Sequence, residues 1–323
     1  MEPEDWEIPA NLQPQPDDYR FDLERALNGV VGLRANVPDD AFTAGTLGTE
    51  RIGNGAIIRD DGLVLTIGYL ITEAETIWLI TADGRAVPAC PVAYDGNSGL
   101  GLVQALGKLG QPALQLGDSD RLSVGADVIM AAAGGRRHAI ETRVVSRQEF
   151  AGYWEYVLDE AIFIAPAHPF WSGSALIAED GTLLGTGSLS LQQGDGPKRA
   201  DMNMVVPVSL LRGVLDDMLA LGRPKAPPRP WLGIYAMEGD EGLIVGGLSE
   251  KGPAARAGLR QGDRILGVGD EDVTELATLW RKVWQAGPAG ATVLLRVGRD
   301  GTRLAVRVTS ADRQSFLRPP KLH

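Results

Sequence analysis

The sequence predicts a mainly β protein, two β-barrels followed by a small α+β domain, and three observations carry that expectation. Short runs rich in Val, Ile, Leu and Thr recur through the first two thirds, each bounded by Gly, Pro or an Asp-Gly pair. A single amphipathic helix follows them late, in NMVVPVSLLRGVLDDMLALG, and this order points to paired barrels rather than an α/β sheet. RPKAPPRP, Arg223 to Pro230, then places four prolines in eight residues, a stiff extended spacer that cannot continue a helix.

Taken in order, residues 1–20 form an acidic, Pro-rich extension that reads as extended or disordered. Phe21 to Leu33 is partly helical in period, ending near Gly29 or Gly32. GNGAIIRDDGLVLTIGYLI, from Gly53 to Ile71, reads as strand, hairpin, strand and a loop entering a short helix. Further short strands fall in ETIWLI, AVPACPVAYD, LGLVQAL, ADVIMAAA, AIETRVVS and YWEYVLD. The boundaries drawn from this pattern are 1–20, 21–222, a linker at 223–230, 231–311 and a tail at 312–323. The last large piece shows two strands, a short helix after Gly252-Pro253, the strand RILGVGD, a helix from Glu275 to Gln285 and a hairpin at Arg299-Asp300-Gly301.

Composition narrows the function. The 323 residues include 42 acidic and 31 basic side chains, a net charge of −11, which disfavours nucleic acid as a partner. No apolar run is long enough to span a membrane. The start, MEPEDWEIPANLQPQPDDY, lacks a signal peptide's basic end and apolar centre, so the expected compartment is the cytoplasm; the alternative is the periplasm, if the sequence starts at a mature terminus. Cys90 is the only cysteine, expected as an inert buried thiol. The three histidines, His138, His168 and His323, lack metal-ligand spacing, so neither metal nor cofactor is expected. His138 follows Gly-Gly-Arg-Arg and reads as a solvated hairpin tip.

The chemically suggestive stretch is AIFIAPAHPFWSGSALIAEDGTLLG, residues 161–185, with Ser172 on a Pro- and Gly-rich turn immediately before Gly173. Such a turn presents a hydroxyl and backbone N–H groups to a reactant. The stretch resembles the serine segment of trypsin-like HtrA (DegP-type) proteases, with Phe170-Trp171-Ser172-Gly173-Ser174-Ala175-Leu176 in place of the family's G-N-S-G-G-P-L. The resemblance runs over roughly residues 20–310 and implies a trypsin-like double β-barrel followed by a PDZ domain. In the PDZ part it rests on Trp231-Leu232-Gly233-Ile234 and on GPAARAGLRQGDRIL, Gly252 to Leu266.

Carried over position by position, the resemblance puts Tyr69 (in Leu65-Thr66-Ile67-Gly68-Tyr69-Leu70-Ile71) where the family has its general-base histidine. It puts Gly99 (in Asp95-Gly96-Asn97-Ser98-Gly99-Leu100) where the family has the orienting aspartate. A phenol with an ordinary pKa of about 10 does not take a serine proton at neutral pH. Phe170 stands where a glycine N–H would complete the oxyanion hole; with Trp171, it is expected to fill the vacated cleft, an aromatic peptide platform being the alternative. The implied protein is a catalytically inactive scaffold, adaptor or regulator. The alternative is a serine endopeptidase in which Ser172 uses a non-standard base such as His168, or which is activated by rearrangement. The implied peptide site is the backbone of Leu232, Gly233 and Ile234, walled by Leu276, Leu279 and Trp280, for a peptide or protein C-terminus. The resemblance also implies a trimer, with Tyr19 and Phe21 near the contact, or co-assembly with an active relative.

Overall fold

A computed structural model describes residues 6–193, 200–239 and 242–319. The chain divides into two compact units. The first holds the residues up to Gln148, Glu160–Lys225 and the segment from Arg318; the second joins Glu149–Asp159 to Ala226–Leu317.

The first unit contains two closed six-stranded barrels. One is built from β1 (Val30–Asn36), β2 (Glu50–Ile57), β3 (Leu63–Ile67), β4 (Thr76–Ile80), β5 (Ala86–Tyr94) and β6 (Leu100–Ala105), in the order β1-β2-β3-β6-β5-β4. The other uses β7 (Asp127–Ala131), β8 (Ala139–Gly152), β9 (Tyr156–Ala165), β10 (Ala175–Ile177), β11 (Leu183–Gln193) and β12 (Ala200–Pro207), in the order β10-β11-β12-β9-β8-β7. Closure leaves no free sheet edge. Leu33, Ile57, Leu65, Leu79 and Leu102 fill the first barrel and Met130, Ile162, Leu176 and Val205 the second, all at 1% exposure or less.

Turn chemistry sets the strand ends. In the β2–β3 hairpin Gly62 takes φ 88° and the Asp61 carboxylate accepts the Leu63 N–H. Asp180 and Gly181 do the same between β10 and β11, where Asp180 accepts both the N–H and the hydroxyl of Thr182. α1 (Leu23–Asn28) starts at Asp22, which accepts the Arg25 N–H at 2.9 Å. It stops at Gly29, the first of the two expected ends, and the chain continues as β1. α2 (Ala44–Leu47) follows β1, and the late helix is two short ones, α3 (Ser209–Arg212) and α4 (Leu215–Leu221).

Residues 6–20 correct the expectation of a loose extension. They form two 3-10 turns, Ala10–Leu12 and Pro16–Asp18, with Ile8 2% exposed and its N–H bonded to the Arg137 carbonyl. Acidic composition hid two apolar anchors, Trp6 and Ile8, that pack on the second barrel. His138 is likewise not a solvated tip: its ring nitrogens bond the carbonyls of Ala133 and Trp6 at 2.8 and 2.6 Å. Cys90 is only half-buried. Tyr19 and Phe21 touch their own chain, Tyr19 through Glu141 at 2.8 Å and through the Phe21 ring.

Among its described residues the second unit holds a six-stranded sheet, two α-helices and a 3-10 turn, Arg313–Phe316. β13 (Ile234–Gly239), β14 (Gly242–Leu248), β15 (Arg264–Val268), β17 (Thr292–Arg299) and β18 (Thr302–Thr309) lie in that order, and β16 (Glu271–Asp272) pairs with β15. α5 (Pro253–Arg256) opens with Pro at its first turn, and α6 (Leu276–Gln285) buries Leu276, Leu279, Trp280 and Val283. Asp263, 1% exposed, is held by Arg299 through two 2.6 Å bonds and by the Arg260 N–H, so its buried charge is fully paired. Phe316, in what was expected to be a tail, packs on Trp231 with ring centroids 5.0 Å apart. Residues 149–159, expected inside the barrel domain, belong to this unit; Val157 sits in its apolar core.

Candidate functional site

Ser172 sits on a loop pinned from behind by β2. Its carbonyl accepts the Asn54 N–H at 2.8 Å and the Asn54 side-chain amide at 3.1 Å. The same amide reaches the Phe170 carbonyl and the Ser174 hydroxyl, while its oxygen accepts the Ala133 N–H. Two glycines make this approach possible. A Cβ on Gly173, at φ 73°, would lie 2.0 Å from the Asn54 carbonyl oxygen, and one on Gly53 would lie 2.7 Å from that of Ser172. Asn54 was missed in the sequence because an Asn between two glycines carries no catalytic pattern.

The structure brings Tyr69 and Ser172 together. Tyr69 lies on a 3-10 turn, Gly68–Leu70, that leaves β3; its carbonyl and that of Thr72 are gripped by the buried Arg51 guanidinium at 2.6 and 2.8 Å. The Tyr69 hydroxyl lies 2.8 Å from Ser172 Oγ and 2.8 Å from the Ser188 carbonyl oxygen. A carbonyl only accepts, so the single phenol proton goes to Ser188 and Ser172 must donate to the phenol oxygen. Burial pushes the Tyr69 phenol up to about 12, against hydrogen bonds from Ser172 and Trp171 that pull it down. At pH 7 the phenol there is therefore protonated and neutral.

Gly99 meets this turn only through its backbone. At φ 81° its carbonyl accepts the Gly68 N–H at 2.7 Å, and its own N–H bonds to the Asp95 carbonyl. The neighbouring Asp95 carboxylate is occupied within its own turn by the N–H groups of Asn97 and Ser98 and by the Ser98 hydroxyl. Neither residue orients Tyr69 with a charge.

His168 is not a base for Ser172, which corrects the alternative held open above. The imidazole is fully buried; Nε2 donates to the His138 carbonyl at 3.0 Å and Nδ1 accepts the Phe170 N–H at 3.0 Å. Both nitrogens are engaged by backbone, and burial lowers the ring to about 4, so it is neutral. The N–H expected to line an oxyanion hole is thus bonded to an imidazole. Phe170 is 42% exposed, and its ring packs edge-on against Trp6 at 4.9 Å. Trp171 is the half-buried partner of Tyr69. His323 lies outside the described residues.

In the second unit the expected carboxylate loop holds a carboxylate of the chain itself. The N–H groups of Leu232, Gly233 and Ile234 donate to Glu155 at 2.9, 2.6 and 2.9 Å. Gly233 at φ 78° turns the three donors toward one point. The Ala236 N–H bonds to the Tyr153 carbonyl at 2.9 Å, and Trp280 Nε1 donates to the Gly152 carbonyl at 2.9 Å. Leu279 and Trp280 are fully buried and Leu276 nearly so. Burial pushes the Glu155 carboxyl up to about 7, against the three amides and Arg313, which pull it down.

A trypsin-like double barrel and a PDZ domain are therefore the two parts of this chain, and comparison with known proteins agrees. The trypsin-like peptidase domain family matches residues 53–185 and the PDZ domain family residues 230–309. A protein of Halomonas elongata described as a probable periplasmic serine endoprotease DegP-like is 28% identical over 279 residues, covering 81% of this chain and 56% of that protein. A Pseudomonas fulva protein of the same description is 26% identical over 319 residues, with coverages of 92% and 62%. The chain thus spans little more than half the length of these relatives. Serine endoprotease DegS of Salmonella typhimurium is 25% identical, covering 91% of this chain and 86% of that protein. Among solved structures, the HtrA-type protease AlgW with decapeptide aligns at TM-score 0.53 and 22% identity, over 93% of this chain and 98% of the other. The serine endoprotease from Yersinia pestis aligns at 0.53 and 24%, with coverages of 95% and 99%; both share the fold. This chain belongs to the HtrA-type protease family. The relatives described as periplasmic overturn the expectation of a cytoplasmic protein, which rested on the composition of the first residues alone. Among the described residues no helix is long and apolar enough to cross a membrane.

Proposed function

We propose that this chain is a catalytically idle HtrA-type protein that binds peptide segments or chain ends through its PDZ domain and acts as a scaffold, adaptor or regulator. One observation carries the reading: the Ser172 hydroxyl faces a neutral phenol whose proton is already given to the Ser188 carbonyl. To lose its own proton Ser172 would need an acceptor more basic than that oxygen, and Gly99, Asp95 and His168 supply none. The engaged Phe170 N–H points the same way.

The three converging amides of Leu232, Gly233 and Ile234 support a peptide site, since they hold a carboxylate beside a strand edge. The periplasm is the compartment this reading takes from the relatives' descriptions. Co-assembly with an active relative is the regulatory form of the same proposal. The test is incubation of the purified chain with casein and with a fluorophosphonate probe. No cleavage or labelling above a Ser172→Ala control is expected; Ser172-dependent turnover would end the reading.

A further inference from the structure

We infer that the PDZ groove is built to take an internal side-chain carboxylate offered from a segment beside β13, that the hairpin turn Tyr153-Trp154-Glu155 is its resident ligand, and that an incoming peptide binds by displacing this segment. The inference rests on the reading of the groove as a peptide site. Ile234 and Ala236 are two residues apart along β13, and the groups they bond, Glu155 and Tyr153, are two residues apart on the hairpin. A strand laid along β13 with its carboxylate over the amide loop would make this same pair of contacts.

The rest of the hairpin is held as a bound ligand is held. Gly152 offers its carbonyl to Trp280 on α6, and Arg281 of the same helix forms ion pairs with both Glu149 and Asp159 at the hairpin base. Val157 packs into the apolar core and the Tyr153 ring lies 6.0 Å from that of Tyr235. Glu155 adopts φ 61°, a left-handed backbone that a non-glycine residue holds only when its surroundings compensate. Here the compensation is three amide donors converging on one carboxylate.

A ligand in the same chain acts at an effective concentration of about millimolar or above. A free peptide of similar intrinsic affinity therefore meets a groove that is mostly occupied. The partner class that follows is a flexible or terminal segment with a carboxylate two residues beyond a strand-pairing carbonyl. Its source is either a free chain end or an internal Glu or Asp.

The experiment uses the full chain and a fluorescent peptide copying residues 150–155 (Phe-Ala-Gly-Tyr-Trp-Glu), amidated so that its only carboxylate is the Glu side chain. Companion probes end in Gln amide or carry a free terminus. In fluorescence anisotropy the Glu155→Ala chain is expected to bind the Glu peptide at least tenfold more tightly than the wild type does. The Gln peptide is expected to lose at least tenfold. Equal affinity of the two chains, or of the Glu and Gln peptides, overturns the inference while leaving peptide binding intact. Absence of binding to either chain by any probe overturns the peptide-site reading along with it. A wild-type measurement guards against a misfolded variant. Saturation with the free-terminus peptide should raise hydrogen exchange in residues 151–157, and unchanged exchange in a peptide-bound chain contradicts displacement.

Discussion

The loop around Ser172 and the loop from Trp231 to Ile234 both present backbone N–H groups where the family's chemistry would need them, and in both the chain's own side chains take up those donors. The occupants differ in origin. At the serine loop, Phe170 gives its N–H to His168, two residues away on the same turn, fully buried and itself tied to His138. At the PDZ loop the donors go to Glu155, 77 to 79 residues away, on a partly exposed hairpin tip. A local buried occupant leaves only if the barrel unfolds; a remote one leaves by opening a hairpin. The first occupancy is fixed by neighbouring residues on one turn, and the second depends on a remote segment staying in place.

The largest expected effect tests how rigid the first occupant is. Gly173→Ala forces a Cβ against the Asn54 carbonyl from a left-handed backbone and should cost about 3 kcal/mol or more, read by urea unfolding. A loss under 1 kcal/mol would mean the serine loop moves freely. His168 gives a similar effect through pH. An unfolded histidine binds its proton near pH 6.5, whereas the buried ring does so only near 4. The unfolded chain therefore takes up the proton first; stability is whole above 6.5 and falls by about 3 kcal/mol as pH drops through 4. His168→Gln should flatten that part of the profile, and an unchanged slope would contradict the assigned burial.

Tyr69→Phe removes the bond to the Ser188 carbonyl and should cost about 2 kcal/mol without raising or lowering hydrolysis. A rise in Ser172-dependent hydrolysis would show that the phenol only masks a working base. The smallest effect concerns the hairpin seat and has the opposite pH sign to His168. The docked Glu155 holds its proton more tightly than an exposed glutamate, so the seat is firmest at acid pH and loosens as pH rises through about 7. Hydrogen exchange at Leu232, Gly233 and Ile234 should accordingly speed up between pH 6 and 8 beyond its intrinsic rise.

The sequence disclosed what is local. Alternating apolar runs and Asp-Gly turns marked both barrels, and the long Gly252–Leu266 run marked the PDZ domain. Tyr69 and Ser172 were found because each lies in a recognisable segment. What stayed hidden depends on contacts between distant residues. Asn54 stitches the serine loop across 116 to 120 positions, and Glu155 reaches the PDZ loop across 77 to 79. An acidic, Pro-rich start concealed Trp6 and Ile8, since two apolar residues among charges look like a tail until a surface is present to receive them. His168 was weighed as a base because of its place in the chain, and only coordinates reveal which way both of its nitrogens face.

Proton affinity at Tyr69 is where the account is most exposed, and ultraviolet difference spectroscopy of the wild type against Tyr69→Phe isolates that one phenol. The expected difference spectrum carries no phenolate band up to pH 10, in keeping with a group pushed up to about 12. A phenolate band that grows in between pH 7 and 9 would mean that Ser172 faces a usable base, and the idle-enzyme reading would fall.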